Sequence, residues 1–415
     1  MELDAKISHS CRFCGNKNLF TLVNLGMSPL SNAYVKPHNL NQVENFYPLH
    51  AVVCDNCFLV QIDEFVAPNH IFSDYAYFSS YSDSWLEHCK SYVSMMIERF
   101  NLSANSSVVE IASNDGYLLQ YFIEKGIPCL GIEPADNVAE IAIKKGVPTE
   151  KKFFGAHFAD DLSRRKGKSD LILANNVLAH VPDINDFVVG IKLLLSDNGI
   201  VTIEFPHLLK MIQENQFDTI YHEHFSYLSL FSVEKIFERH GLKIFDVEEV
   251  VTHGGSLRIY ATHIDSVVHK ISSTVSEIRE REKNACFDRV SGYLGFEGCV
   301  NKVKRDLLNF LNKAKLDGKS IVGYGAAAKG NTLLNYCGIR SDYLDYVVDK
   351  SPHKQGLYLP GTRLPIFSPE KIAVTKPDYL LILPWNISAE IMTQNSYIQS
   401  WGGKFVVAVP ELKVV

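Results

Sequence analysis

Residues 108–116 have the sequence Val-Val-Glu-Ile-Ala-Ser-Asn-Asp-Gly. Val108 to Ile111 form a short apolar run that is typical of a buried strand, and Asn114-Asp115-Gly116 indicates a turn. A helical pattern follows from Leu118 to Lys125. A strand that turns directly into a helix is the first half of a βαβ unit, so this stretch predicts a parallel sheet with crossover helices.

The same alternation of apolar runs and helical patterns continues on the C-terminal side. Further strands of the central sheet are predicted at 129–133, 170–174 and 200–204, and a second group is predicted at 320–325, 346–349, 379–383 and 405–407. We therefore predict an α/β protein with a central Rossmann-like sheet and a smaller C-terminal one. Residues between the two groups are charged and helical in pattern.

Composition and charge exclude several classes of protein. The formal net charge of −6 disfavours a nucleic-acid binder, whose surface is basic. No apolar run reaches the length of about 18 residues that a membrane span needs. Met1 to Ser10 are polar and give no sign of a signal peptide, so we expect a cytoplasmic protein whose cysteines stay reduced unless a metal binds them.

Four of the nine cysteines form two CxxC pairs, Cys11 with Cys14 and Cys54 with Cys57. Each CxxC turn places two thiolates on one side of a tight loop, and two such turns supply the four sulfur ligands of a tetrahedral Zn²⁺ site. Four thiolates leave no open coordination position. The sequence therefore predicts a structural zinc ion that does not take part in catalysis.

The turn after the first central strand has features of a site for an adenosine-type cofactor. Its backbone N–H groups precede a helix, where they can face a ligand. Glu133 ends the next strand, where an acidic side chain can accept both ribose hydroxyls. The phosphate-binding fingerprint G-x-G-x-x-G is missing here. This favours S-adenosylmethionine, which has no pyrophosphate, over NAD.

Eight motifs occur in an order that resembles a known family. In chain order they are Cys11-x-x-Cys14 with Cys54-x-x-Cys57, residues 75–82 (YAYFSSYS), 110–116 (EIASNDG), 175–181 (NNVLAHV), 204–206 (EFP), 221–225 (YHEHF), 254–258 (GGSLR) and 323–331 (GYGAAAKGN). The set is similar to the C-methyltransferases of deoxysugar biosynthesis, which act on nucleotide-linked 4-keto sugars. It covers almost the whole chain. Ala112 stands where many methyltransferases carry glycine.

The resemblance implies a division of the chain and a place for the substrate. We expect a zinc-binding domain at 1–70, a methyltransferase domain with a preceding linker helix at 71–265, a helical connector at 266–316 and a C-terminal Rossmann-like domain at 317–415. The family places the sugar nucleotide between the methyltransferase domain and the C-terminal Rossmann-like domain. The methylated atom is expected to be C3 of a 4-keto-6-deoxy sugar.

C-methylation next to a ketone requires a base that removes the α-proton and donors that stabilise the enolate. By the resemblance the base is His224, with Tyr221 and Glu223 beside it, and Tyr77 (or its neighbours Tyr75 and Tyr81) is a further donor. The candidate cofactor residues are Glu110, Ala112, Asn114, Asp115, Glu133, Asn175 and Asn176. The candidate substrate residues are Tyr81, His180, Glu204, Arg258 and Lys329.

Several alternatives stay open at the level of sequence. The turn Gly323-x-Gly325 is compatible with an NAD(P)-linked oxidoreductase, and the cysteines are compatible with a zinc-dependent scaffold that has no activity. O- or N-methylation of a related sugar nucleotide is a third alternative. His222-x-His224 has a spacing that can chelate a metal from a strand. The sequence leaves the oligomeric state open, with a monomer among the alternatives.

Overall fold

The structure of the chain is a computed structural model that describes residues 10–67, 80 and 83–415. Three tyrosines proposed above, Tyr75, Tyr77 and Tyr81, lie outside the described residues. Among the helices within these ranges, none combines the length and the apolar character that crossing a membrane requires.

Strands and helices alternate through most of the chain. The strands are β1 (Leu19–Ser28), β2 (Tyr47–Cys54), β3 (Val60–Gln61), β4 (Val108–Ile111), β5 (Cys129–Ile132), β6 (Thr149–Glu150), β7 (Ser169–Asn175), β8 (Leu195–Pro206), β9 (Ser226–Tyr227), β10 (Leu242–Val250), β11 (Ser256–His263), β12 (Ile321–Tyr324), β13 (Val347–Val348), β14 (Ile366–Phe367), β15 (Tyr379–Ile382), β16 (Lys404–Val407) and β17 (Lys413–Val414).

The helices vary from one turn to almost six turns in length. They are α1 (Asp83–Phe100), α2 (Leu119–Glu124), α3 (Asp136–Lys144), α4 (Ala156–Lys166), α5 (Ile184–Leu194), α6 (Leu208–Gln213), α7 (Leu230–Arg239), α8 (Ser273–Asn284), α9 (Phe296–Leu316), α10 (Ala328–Cys337), α11 (Lys371–Thr375) and α12 (Ser388–Gln394).

The chain forms two compact units, and each is assembled from three segments. Unit 1 comprises Met1–Asn18, Cys54–His207 and Phe225–Arg289, and unit 2 comprises Leu19–Val53, Leu208–His224 and Val290–Val415. The domains expected from the sequence are contiguous stretches, and their boundaries remain predictions.

Unit 1 contains a seven-stranded sheet in the order β10-β11-β8-β7-β4-β5-β6. The five strands β8, β7, β4, β5 and β6 pair in parallel. At one edge of the sheet, β11 pairs antiparallel with β8, and β10 pairs antiparallel with β11. Each parallel connection runs through a crossover helix, as the alternating pattern predicts. The fully buried side chains of Leu118, Phe122 and Leu171 belong to the core that covers this sheet. The candidate cofactor residues lie at the carboxyl ends of β4, β5 and β7, and the candidate substrate residue Glu204 lies near the end of β8.

Unit 2 contains a six-stranded sheet in the order β14-β13-β12-β15-β16-β17, parallel except for the pair β16–β17. The N-terminal strands β1 and β2 are neighbours in this unit, and helices α9 and α10 lie against β1. Helix α10 also packs on the short 3-10 turn Phe217–Thr219, with the Phe217 and Tyr336 rings 5.3 Å apart. This turn leads directly into the motif Tyr221-His222-Glu223-His224. The predicted α/β fold is confirmed.

Candidate functional site

The four cysteines of the two CxxC pairs converge in unit 1. Their sulfur atoms all lie within 4.8 Å of one another, with Sγ–Sγ distances of 3.4 Å for Cys11–Cys57 and 3.6 Å for Cys14–Cys54. Tetrahedral Zn–S bonds of about 2.3 Å require sulfur atoms about 3.8 Å apart, so the four thiols fit a zinc ion. The described cysteines form no disulfide.

The zinc-binding loop at Cys11–Cys14 contacts the segment that follows β7. The Arg12 guanidinium donates to the carbonyl oxygen of Pro182 at 2.8 Å and to that of Ile62. The Asn185 amide donates to the carbonyl oxygens of Arg12 and Phe13, both at 3.1 Å. The loop is thus fixed to the start of α5, close in sequence to the half-buried His180.

The turn after β4 adopts an unusual backbone conformation. Ala112 and Asn114 have φ angles of 55° and 49°, and Gly116 has 76°. A Cβ atom at Gly116 would lie 2.8 Å from Val147, so glycine is required there by both conformation and space. Alternating left-handed residues turn backbone N–H groups to one side, which makes a concave site for a ligand.

Glu110 on β4 and Glu133 after β5 are both buried. Burial raises the pKa of Glu110 well above its ordinary value, with the Tyr117 hydroxyl facing the carboxyl group. Burial also raises the pKa of Glu133 to about 7, although its oxygens accept hydrogen bonds from the Ala135 and Asn114 backbone at 2.8 and 2.9 Å. The Glu133 carboxylate is therefore held rigidly, and each oxygen keeps a second lone pair for a ligand.

Buried oxygen atoms gather at the carboxyl ends of β4 and β7. Within the part of the chain that the structure describes, no hydrogen-bond partner is present for Ser113 Oγ, Asp115 Oδ1, Asn175 Oδ1 and Asn176 Oδ1. The other oxygen of Asp115 is paired with the Lys145 ammonium at 3.1 Å. Because buried polar atoms are normally satisfied, this cluster fits a polar ligand such as S-adenosylmethionine.

Glu204 and Arg258 form a buried pair in unit 1. Arg258 donates to Glu204 at 2.9 Å and to Glu248 at 3.0 Å, and its guanidinium lies 3.8 Å from the centre of the Tyr92 ring. Burial opposes ionisation of Glu204, but the His88 hydrogen bond and the charge of Arg258 together lower its pKa to about 2. Both groups are charged and engaged with each other, and their assignment to substrate binding remains a prediction.

His224, in unit 2, has protein groups close to both of its ring nitrogens. Its Nδ1 lies 2.9 Å from the carbonyl oxygen of Thr219, which can only accept, so Nδ1 carries the proton. The other nitrogen, Nε2, therefore has the free electron pair, and the Tyr221 hydroxyl lies 2.8 Å from it. The local backbone fixes the tautomer that a base needs.

The two residues between Tyr221 and His224 have different surroundings. Burial lowers the pKa of His222 to about 4, and its Nε2 lies 3.1 Å from the carbonyl oxygen of Pro48. Glu223 is buried, and both of its oxygens accept from the Asn32 amide at 2.8 and 2.9 Å. Within the described residues, the only group of three or more potential metal ligands is the cysteine cluster, so the two histidines do not form such a group.

Lys329 follows the glycine-rich turn after β12. Burial lowers its pKa to about 8, and Asp218 partly offsets this. Its ammonium lies 4.7 Å from the centre of the Trp385 ring, whose N–H donates to Asp218 at 2.7 Å. Asn32, Asp218 and Trp385 were not predicted from the sequence, because none belongs to a motif that indicates chemistry.

Three family models match successive parts of the chain. Residues 11–72 match a zinc binding domain, residues 85–247 a methyltransferase domain, and residues 251–410 a C-methyltransferase C-terminal domain. The curated protein C-methyltransferase NovU from Streptomyces niveus is 34% identical over 405 residues, which is 98% of this chain and 96% of that protein.

The chain belongs to this family of C-methyltransferases. The predictions of a zinc-binding domain, of S-adenosylmethionine as the methyl donor and of C-methylation are therefore confirmed. Membership also decides against the oxidoreductase and against O- or N-methylation. The substrate of this C-methyltransferase is a small molecule.

Two solved structures of methyltransferases each match 43% of this chain. Magnesium protoporphyrin IX methyltransferase (ChlM) from Synechocystis PCC 6803, with bound SAM, is 15% identical and covers 43% of this chain and 79% of its own, with a TM-score of 0.33. An S-adenosylmethionine-dependent methyltransferase from Clostridium acetobutylicum ATCC 824 is 12% identical. The match covers 43% of this chain and 92% of that protein, with a TM-score of 0.35.

Proposed function

We propose that this C-methyltransferase methylates C3 of a nucleotide-linked 4-keto-6-deoxy sugar, with His224 as the base. The observation that carries the proposal is the tautomer of His224, whose Nδ1–H faces the Thr219 carbonyl and whose Nε2 keeps its electron pair. The ordered motifs shared with the sugar C-methyltransferases support the choice of substrate.

The reaction begins with removal of the proton from C3 by Nε2 of His224. The electron pair of the C3–H bond moves into the C3–C4 bond, and the ketone becomes an enolate. Tyr221 turns its hydroxyl from Nε2 to the enolate oxygen, because a donor is needed there as charge develops. Bound S-adenosylmethionine would supply the methyl group: the C3–CH3 bond would form as the sulfonium–methyl bond breaks, with the ketone restored and S-adenosylhomocysteine released. The imidazolium of His224 would then lose its proton to solvent.

The cofactor residues of unit 1 serve to bind and align the donor. We assign the ribose hydroxyls to Glu133 and the remaining polar groups of the donor to the unsatisfied oxygens of Ser113, Asp115, Asn175 and Asn176. Displacement at a methyl carbon requires an in-line arrangement, so rigid placement is the main contribution of these residues.

His224→Ala should lower turnover by about 10²- to 10⁴-fold, which is the usual contribution of a general base. Binding of S-adenosylmethionine should remain, because the lost interaction belongs to the transition state. The direct measurement is exchange in D₂O. The wild-type enzyme with a nucleotide-linked 4-keto sugar should incorporate deuterium at C3 without methyl transfer, and His224→Ala should not.

His222→Gln provides a matched control, since it alters a histidine two residues away and keeps a donor for the Pro48 carbonyl. We expect His222→Gln to exchange deuterium at C3 like the wild-type enzyme. We expect Tyr221→Phe to slow this exchange, but by less than His224→Ala does. Full exchange by His224→Ala would assign the base to another residue. Absence of exchange by the wild-type enzyme with every 4-keto sugar tested would refute the substrate class.

A further inference from the structure

The Glu223 side chain has one amide partner that comes from the N-terminal segment of unit 2. The Asn32 side-chain nitrogen lies 2.8 Å from Glu223 Oε1 and 2.9 Å from Oε2. Glu223 itself is only 3% exposed. Asn32 follows β1 by four residues, in a stretch where the sequence gives no sign of chemistry.

The orientation of the Asn32 amide is fixed by elementary chemistry. An ionised carboxylate only accepts hydrogen bonds, so the nitrogen of the amide must face Glu223 and the oxygen must face away. The oxygen lies 3.3 Å from the Tyr34 hydroxyl, which donates its single hydrogen to the carbonyl oxygen of Ala326 at 2.6 Å. Asn32, Tyr34 and Ala326 all belong to unit 2, and the Tyr34 hydroxyl that lies beside the Asn32 oxygen is hydrogen-bonded to the glycine-rich turn after β12.

We propose that Asn32 is a positioning residue that fixes the Glu223 side chain and holds it as a carboxylate. The inference rests on the proposed function, because it gives Glu223 a part in that active site. A carboxylate accepts but does not donate, so the substrate group that Glu223 binds would be a donor such as a ring hydroxyl. Asn32 would thereby contribute to the choice of substrate without touching it.

The electrostatics of the cluster make the Asn32 amide important. Burial raises the pKa of Glu223 to about 7, and the hydrogen bond from Asn32 acts in the opposite direction. The Tyr34 hydroxyl is an ionisable group near Glu223, and its own pKa is raised by burial and by the negative charges of Asp349 and Glu223. Lys354 lies beyond the Tyr34 ring, with its ammonium 5.6 Å from the ring centre. Near neutral pH, a small loss of stabilisation would therefore protonate Glu223.

The test is an infrared titration of the full-length protein without substrate, in which Glu223→Gln identifies the Glu223 carboxyl band by difference. In the wild-type protein this band should titrate near pH 7. Asn32→Ala removes both donated hydrogen bonds, and Asn32→Asp also adds a negative charge, so both should move the midpoint upward by about one pH unit or more. Two variants are used so that a folding defect in one leaves the other informative.

Asn24→Ala is the matched control, because this exposed asparagine lies in the same segment and its side-chain oxygen accepts a hydrogen bond from the Gly26 N–H. Its titration should equal that of the wild-type protein. An unchanged midpoint in folded Asn32→Ala or Asn32→Asp would overturn the proposal. In a second readout, the pH below which deuterium exchange is lost should rise by the same amount in these variants. The infrared result needs no substrate, so it distinguishes failure of this inference from failure of the proposed function.

Discussion

Ala112 occupies a backbone conformation that alanine adopts only at a cost. Its φ of 55° is in the left-handed region, where the Cβ atom of an L-residue meets the following carbonyl at a cost of about 1–2 kcal/mol. Ala112→Gly removes this strain but increases the entropy of the unfolded chain. We expect the free energy of unfolding of unit 1 to rise by up to about 1 kcal/mol, measured by denaturant titration.

Ala139→Gly serves as the comparison, because Ala139 lies in α3 of the same unit and is fully buried. There glycine should lower the free energy of unfolding by about 1 kcal/mol or more, through the poorer helix propensity and the lost methyl group. A decrease of similar size for Ala112→Gly would show that the left-handed strain has no energetic effect. Affinity for S-adenosylmethionine should be retained by Ala112→Gly, since the backbone path is unchanged.

Glu133 should make both stability and cofactor binding depend on pH. Its pKa is about 7 in the folded protein and near 4.5 when exposed, so between these values the folded state binds more protons than the unfolded one. The contribution of Glu133 to stability therefore falls as pH rises from about 4.5 to 7. Ribose hydroxyls donate to the ionised form, so affinity for S-adenosylmethionine should rise over the same window, by up to about tenfold per pH unit.

Calorimetric titration at several pH values measures this linkage directly, and release of a proton on binding should appear as a dependence on the buffer used. Glu133→Gln cannot ionise, and its weaker affinity should not vary with pH through this residue. A wild-type affinity that stays constant between pH 5.5 and 7.5, values chosen around the pKa of about 7, would remove Glu133 from the ribose site.

Sequence reasoning at the level of single residues succeeded where a residue belongs to a motif. The four cysteines were predicted because CxxC spacing has a direct chemical meaning, and their sulfur atoms do converge. The sequence named His224 through its motif but gave no indication of its tautomer, which depends on the Thr219 carbonyl. Asn32 escaped notice because asparagine is common in loops, and its partner lies 191 positions away in the chain.

Among the elements, the zinc-binding loop has a second role through Arg12, which fixes the segment between β7 and α5. Arg12→Met should keep about one zinc per chain, because the four thiols are untouched, but should leave the Pro182 and Ile62 carbonyls without their donor. We expect unit 1 to lose about 1.5–3 kcal/mol, the range for a hydrogen bond to a charged group. Amide hydrogen exchange in residues 180–185 should become faster.

Lys235→Met is the matched control for this element. Lys235 donates to the Asn56 carbonyl in the other zinc-binding loop at 3.0 Å, and its ammonium lies 4.5 Å from the centre of the Phe231 ring. Exchange in that segment should stay at the wild-type rate. If Arg12→Met also leaves it unchanged while zinc remains bound, the loop does not hold the segment in place.

Prediction of whole elements was best where both faces of a strand are buried. The runs at β4, β5 and β7 are mainly apolar and mostly buried, because parallel strands are covered on both faces by crossover helices. The antiparallel edge strands β10 and β11 were not predicted, since polar residues such as Lys243, Asp246 and Arg258 interrupt their apolar pattern. Strand β13 lies within the predicted run 346–349, whereas the two-residue β14 was not predicted, because it depends on pairing with β13.

At the scale of the whole molecule, the path of the chain between the units could not be inferred from the sequence. Local patterns change at the predicted boundaries near 70, 265 and 316, but they carry no information on long-range contacts. Leu19–Val53 belongs to unit 2 because β1 lies against α9 and α10, elements almost 300 residues later. Likewise, Thr332 in α10 donates to the Ile220 carbonyl, just before the motif at 221–225.

This organisation predicts how the protein responds to truncation. A chain that ends at Arg289 keeps Leu19–Val53 and Leu208–His224 but loses the rest of unit 2. Buried side chains such as Val23 and Phe217 would then lose their covering, at about 1.5–3 kcal/mol for each large apolar group. We expect this fragment to bind a hydrophobic dye and to aggregate in size-exclusion chromatography.

Coexpression of 290–415 as a separate chain should restore a soluble complex that binds S-adenosylmethionine, because the missing contacts are non-covalent. A soluble monomeric 1–289 fragment that binds no dye would show instead that unit 2 is not a single cooperative body.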